Sequence, residues 1–133
     1  MSTTHDASTK RTRRNRSSAK KAGTDHETSI VRYLAAVLGD DRIERRAKNG
    51  ANDRGDVTGV RTPLGGRLVI ETKNYGGQYK VGPWLKEAEI ERGNDDAVMS
   101  VVVAKRRGTT NPAEQVVFMT LADLAVLLGG DVR

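Results

Sequence analysis

Asp56, Glu71 and Lys73 are the residues whose types and spacing could do chemistry. They lie on two β-like runs, residues 55–60 and 67–72, rich in β-branched and aliphatic types. Between them Arg61-Thr62-Pro63-Leu64-Gly65-Gly66 holds a proline and a glycine pair, so the spacing predicts a hairpin. With Val60 opposite Arg67, the antiparallel ladder brings Asp56 opposite Glu71, their Cβ atoms about 5 Å apart. A slip of register by two keeps both on one face. Like charges directly opposite are unfavourable in a sheet, so this pair needs either water or a cation between the carboxylates. Strand side chains alternate, so Lys73 points with Glu71 while Leu68, Ile70 and Thr72 point the other way. Two carboxylates and an ammonium suit phosphodiester hydrolysis. The carboxylates would hold Mg²⁺, the metal would polarise the phosphate and activate water, and the lysine would steady the nucleophile or the developing charge. The alternative is an exposed hairpin whose charges are merely solvated.

The elements that must position these residues follow from the flanking sequence. Thr24, with Glu27 three residues on, has the capping-box pattern, and Ile30, Val31, Leu34, Val37 and Leu38 continue at helical spacing until Gly39. The cap alone explains Glu27, yet Glu27 also shares the stripe of Val31, Leu34 and Leu38. Residues 42–46 read as a short edge strand and 47–54 as a polar loop, which places Arg45, Arg46, Lys48 and Arg54 near Asp56 as phosphate-binding cations or as a solvated basic edge. After Lys73, a glycine-rich loop over 74–80 offers Tyr75, Tyr79 and Lys80 to a DNA groove; it lacks the Gly-Lys-Ser/Thr ending of a P-loop, which excludes that mode of nucleotide hydrolysis. Pro83 starts a helix through Arg92, ended by Gly93. Trp84, Leu85 and Ala88 give it an apolar face, Lys86, Glu87, Glu89 and Glu91 stay in water, and Trp84 serves the core or a dimer contact. The apolar run 98–104 reads as a central strand covered on both faces and makes the sheet mixed. Lys105, Arg106 and Arg107 form a basic loop that grips phosphate or is simply solvated. Residues 116–119 are a last strand. Thr120 then caps a helix over 121–128, with Asp123 as its acidic partner, whose leucines cover the sheet or a partner.

Gly55-Asp56-Val57, fourteen residues after Asp56, and then Glu71-Thr72-Lys73 resemble the core of the PD-(D/E)XK nuclease superfamily. The resemblance runs from about Thr24 to the end of the domain and is nearest to archaeal-type and phage-encoded Holliday junction resolvases. Gly55 stands where the superfamily has proline, and the Gln-x-x-x-Tyr signature of RecB-like exonucleases is missing, which lowers the exonuclease reading. The resemblance implies an α/β, restriction-endonuclease-like fold with a mixed central sheet flanked by helices. It implies Mg²⁺, for which Mn²⁺ can substitute, held by Asp56, Glu71 and the Thr72 backbone carbonyl. Lys73 would orient the attacking water, and Glu27, as a first-helix glutamate, would assist at the metal. The implied partner is DNA in four-way junctions, resolved by a homodimer through paired symmetric nicks. A restriction-like or repair nuclease of the same superfamily is the alternative among enzymes; a non-catalytic DNA-binding module is the alternative from another class.

Composition bounds the rest. At 133 residues, 36% apolar and 4% aromatic, the chain suits one domain with a modest aliphatic core, and burying more would take a partner subunit. No cysteine and only His5 and His26 exclude thiolate–imidazole zinc sites and cysteine nucleophiles, leaving oxygen ligands and a hard cation. No signal-type segment or membrane-length apolar run occurs, so a soluble cytoplasmic protein with no membrane contact is expected. Residues 1–22 carry seven basic groups against Asp6 alone, which accounts for the whole formal charge of +6 and leaves a body with 16 basic and 16 acidic groups. The predicted organisation is a disordered basic tail over 1–22 and a nuclease domain over 23–133. The tail would anchor nucleic acid by neutralising phosphate and releasing counterions, or serve only as a solubilising leader.

Overall fold

The computed structural model describes residues 15–47 and 53–130. In chain order it contains α1 (Arg16–Leu38), β1 (Glu44–Arg45), β2 (Val57–Thr58), β3 (Leu68–Lys73), α2 (Val81–Asp95), β4 (Met99–Ala104), a 3₁₀ turn (Pro112–Glu114), β5 (Val116–Phe118) and α3 (Leu121–Leu127). The strands form one sheet in sequence order, with β3 and β4 parallel and the other neighbours antiparallel. A parallel pair needs a long crossover, and α2 supplies it. The result is the predicted coarse class, α/β with a mixed sheet flanked by helices.

Pairing of β3 with β4 sorts their side chains between two cores. Ile70, Met99, Val101 and Val103 pack with Ile30 of α1 and Val126 of α3. Val102 and Ala104 pack on the opposite face with Trp84 and Ala88 of α2. Met99 and Val102 are fully buried, each contributing about 1.5–3 kcal/mol relative to exposure. Glu71 pairs with Val102 and Lys73 with Ala104, so both lie on the α2 face.

Several predicted boundaries move. The first helix is capped not at Thr24 but at Asn15, whose side chain accepts from the Ser18 amide at 2.8 Å. Residues 16–22, expected in a disordered tail, are therefore helical. Once the core-packed half is nucleated, each further residue adds a hydrogen bond at little cost, and Lys21 pairs with Asp25 at 2.8 Å one turn on. The remaining tail residues, 1–14, lie outside the described residues. α2 runs through Gly93 and stops where Asp96 turns left-handed at φ 51°, its N–H reaching the Arg92 and Gly93 carbonyls. Thr120 caps α3 as predicted, accepting from the Asp123 amide. Of its leucines, Leu127 packs against the core beside buried Val126, whereas Leu121 and Leu128 are 80% and 77% exposed; Val37 and Leu38 of α1 are also exposed. Trp84, expected in the core or a dimer contact, is buried within the chain. Among the described residues, no helix is long and apolar enough to cross a membrane.

Candidate functional site

The acid-bearing hairpin depends on one extra residue. At its loop end Arg61 bridges Arg67, and the Leu68 amide donates to the Val60 carbonyl at 3.0 Å; at its other end Val57 pairs with Ile70. Four steps along one strand thus match three along the other, the signature of a β-bulge. Gly59 accommodates it at φ 90°, where an added Cβ would collide with the Arg42 carbonyl oxygen. The expected Val60–Arg67 pair is therefore replaced by Arg61–Arg67, while Val57 still pairs with Ile70 as the predicted register requires; Asp56 itself lies just before β2, its amide donating to the Ile70 carbonyl at 2.9 Å. Had the loop-end register continued, Glu71 would face Val57 and Asp56 would turn to the other side of the sheet. Gly55 precedes the acid at φ 98°, with Val69 Cγ1 only 2.7 Å from where its Cβ would be. Proline, fixed near φ −65°, cannot take this conformation, which accounts for glycine where the resembled motif has proline.

Asp56 is 1% exposed, and its Oδ2 accepts from both the amide and the hydroxyl of Thr72, at 2.8 and 3.1 Å. Thr72 therefore enters the site through its N–H and hydroxyl. Glu71 is 3% exposed; its Oε2 lies 3.3 Å from Lys73 Nζ, and no donor reaches its Oε1 among the described residues. Lys73 Nζ donates to Glu87 Oε2 at 2.6 Å and Oε1 at 3.0 Å. One oxygen each of Glu71, Glu87 and Glu91 lies within 4.8 Å of the others. Glu91 is as buried as Glu71, and its Oε1 likewise has no donor. Glu87 and Glu91 were expected in water. They turn inward because the buried stripe of α2 runs Trp84, Ala88, Glu91, Asp95, so the spacing that seats Trp84 also carries acids to the sheet. That continued stripe is the sequence signal that would have found them.

Burial drives the electrostatics. The Glu71 carboxyl is pushed up to about 11, first by burial, then by the hydrogen bond and charge of Asp56 and the charge of Glu91, with Lys73 acting in the opposite sense. Glu91 is pushed up to about 8 by burial and then by the charge of Asp53, a hydrogen bond to Glu71 opposing them. Burial pulls the Lys73 ammonium down, but its hydrogen bond to Glu87 and the charges of Glu71 and Glu87 outweigh it, so its pKa is raised and it stays charged. Four carboxyls crowd one ammonium, more negative charge than Lys73 can offset once they ionise. A hard divalent cation with oxygen ligands fits that excess, and the two donorless buried oxygens fit it specifically.

The other predicted residues disperse. Glu27 sits in the middle of α1, so it caps nothing; it is buried 3.8 Å from Arg45 and is not among the three mutually close carboxylates. Its neighbour His26 places Nε2 3.1 Å from the Val103 carbonyl oxygen, a satisfied core histidine. Arg46, expected at phosphate, spends its guanidinium internally on the Arg54 carbonyl (3.0 Å), Asp95 Oδ1 (3.1 Å) and Thr58 Oγ1 (2.8 Å), clamping the chain that leads into Asp56. Asp95 is held in turn by Arg67. Lys105 Nζ likewise turns two of its three donors inward, to the Arg106 and Thr109 carbonyls at 2.6 and 2.5 Å. Lys48 lies outside the described residues. Arg54, Lys80, Arg106, Arg107, Tyr75 and Tyr79 are exposed. Tyr75 leans on Trp84 at 5.3 Å between centroids, Lys80 Nζ lies 5.5 Å from the Tyr75 ring centre, and Arg107 Nε donates to the Gly76 carbonyl at 3.4 Å. These loops leave the C-terminal ends of the parallel strands, the end at which open α/β sheets bind ligands. No family model, curated protein or solved structure matches the chain, so the functional reading stands on the chemistry of these residues.

Proposed function

We propose that the chain is a Mg²⁺-dependent, structure-specific DNA endonuclease, built on a PD-(D/E)XK core in a restriction-endonuclease-like fold and resolving four-way junctions as a homodimer. One observation carries the reading: Asp56, Glu71 and Lys73 converge beside a buried carboxylate oxygen that has no donor. An antiparallel hairpin followed by a helical crossover into a parallel strand is the frame such a core requires. Asp56 and Glu71 would hold the metal, which when bound polarises the scissile phosphate and makes water more acidic. Thr72 fixes the Asp56 carboxylate, and the Arg46 clamp fixes the backbone before it. Lys73, within 3.3 Å of Glu71 Oε2, orients the attacking water and offsets charge developing on the phosphate. Exposed Arg54, Lys80, Arg106 and Arg107 would hold the DNA backbone, with Tyr75 and Tyr79 beside them. The exposed leucines Leu64, Leu121 and Leu128 offer apolar surface for a two-fold partner.

The test is a substrate panel of four-way junction, linear duplex, nicked and flapped DNA, with each junction strand labelled in turn, beside a mass measurement in solution. A dimer making paired, symmetry-related nicks in the junction in preference to duplex is the expected outcome. Equal cutting of linear duplex, or unpaired nicks from a monomer, would replace the junction reading with a restriction-like or repair nuclease. Binding without cleavage of any substrate would leave a DNA-binding module.

A further inference from the structure

We infer that α2 contributes direct ligands to a divalent-cation site, Glu91 and Glu87 joining Glu71, and that occupancy of this site draws Glu87 away from Lys73. The inference deepens the nuclease reading and rests on it only for what the freed lysine then does. Beyond Glu71 the sequence motif has no part in it, since neither helical glutamate belongs to the acid-x-base triplet.

Three observations converge. One oxygen from each of the three glutamates falls within 4.8 Å of the others, the reach of a single hard cation with oxygen ligands. Glu71 Oε1 and Glu91 Oε1 are buried, and among the described residues no donor from outside the cluster of acids reaches either. A groove of about 420 Å³, lined by Asp53, Lys86, Glu87, Ile90 and Glu91, opens on two of the three glutamates. Glu87, half-buried at the mouth of this set, spends both oxygens on Lys73. A cation drawing Glu87 inward would leave the ammonium with Glu71 alone and with donors to offer a substrate phosphate.

The experiment is calorimetric titration of the metal-free full chain with Mn²⁺ at neutral pH, with the metal-induced change in Tm measured in parallel, for the wild type, Glu91→Gln and Glu87→Gln. Wild type should bind Mn²⁺ and gain Tm. Glu91→Gln should weaken binding at least tenfold and lose most of the Tm gain, while its metal-free Tm equals or exceeds that of wild type, because one of several crowded, buried carboxyls has been replaced by a neutral amide. Should that variant not fold, Glu87→Gln, at the solvent side, carries the same test with a weakening of at least threefold. No Mn²⁺ binding by wild type, or wild-type affinity in the substituted proteins, would overturn the inference even if the protein cuts DNA. Glu91-dependent Mn²⁺ binding supports it even if no DNA is cut, in which case the nuclease reading falls alone.

Discussion

Glu71 stands between a fold that favours its neutral form and a proposed chemistry that needs its charge. In the fold its pKa is raised from the ordinary 4.5 to about 11, and that of Glu91 to about 8, so each lends full stability below pH 4.5 and loses it as pH rises towards the raised value. His26 acts oppositely. Burial lowers its pKa below 6.5 against the pull of the Val103 carbonyl, so it costs stability only as pH falls below 6.5. Above pH 7 His26 is neutral whether folded or not, and the carboxyls set the slope. In the presence of chelator, thermal unfolding should therefore show Tm falling from pH 7 to pH 9, with Glu71 contributing up to about 1.4 kcal/mol per pH unit. Glu71→Gln should flatten the fall and raise Tm at pH 9, and saturating Mg²⁺ should flatten it in wild type. A wild-type Tm that holds or rises across this range would mean that Glu71 is not held in the buried, acid-crowded setting described. The same setting explains a trade between stability and site: the isosteric amides that stabilise the empty protein are those that would remove its chemistry.

The hairpin and α2 decide which charges meet. Gly59→Ala forces a Cβ into the Arg42 carbonyl at a positive φ, and should cost about 1–3 kcal/mol in denaturant unfolding. If the chain relieves that strain by losing the bulge, the register slips by one and Asp56 leaves the face of Glu71, so the variant should also lose Mn²⁺ affinity while a distant surface substitution does not. Wild-type stability and metal affinity in Gly59→Ala would refute the bulge as the register-setting device. The common face of Glu71 and Lys73 was legible in the sequence because strand parity is local and β3 is regular. The bulge was not, since counting residues across a loop cannot see an insertion that only a glycine marks. The helix starting at Arg16 was hidden for another reason: its first turns are polar and exposed, and they are helical as an extension of the packed part and by the Asn15 cap. Residue type points Glu87 and Glu91 to water, but the stripe of Trp84 and Ala88 continues to Glu91 and Asp95, with Glu87 beside it. The fates of Arg46 and Lys105 depend on partners distant in sequence or on a folded loop, and no local pattern announces them.

At the scale of the whole molecule, the net charge of +6 sits entirely before the core-packed part of the chain. Arg16, Lys20 and Lys21 lie on the exposed first turns of α1, and Lys10, Arg11, Arg13 and Arg14 precede them. If these groups meet phosphate, removing residues 1–14, which keeps the Asn15 cap, should weaken DNA binding. The salt dependence should fall by up to about 0.9 in log–log slope for each phosphate no longer neutralised, with Tm unchanged. A slope that survives truncation would reduce that segment to a passive leader. A metal-dependent phosphodiesterase centre at Asp56, Glu71 and Lys73 is testable in one assay: cleavage of an end-labelled four-way junction by wild type and by Asp56→Asn, each with Mg²⁺ and with chelator. Strand scission should appear only with wild type and Mg²⁺, while both proteins bind the junction alike. Cleavage by Asp56→Asn at near the wild-type rate, or by wild type in chelator, would contradict the account.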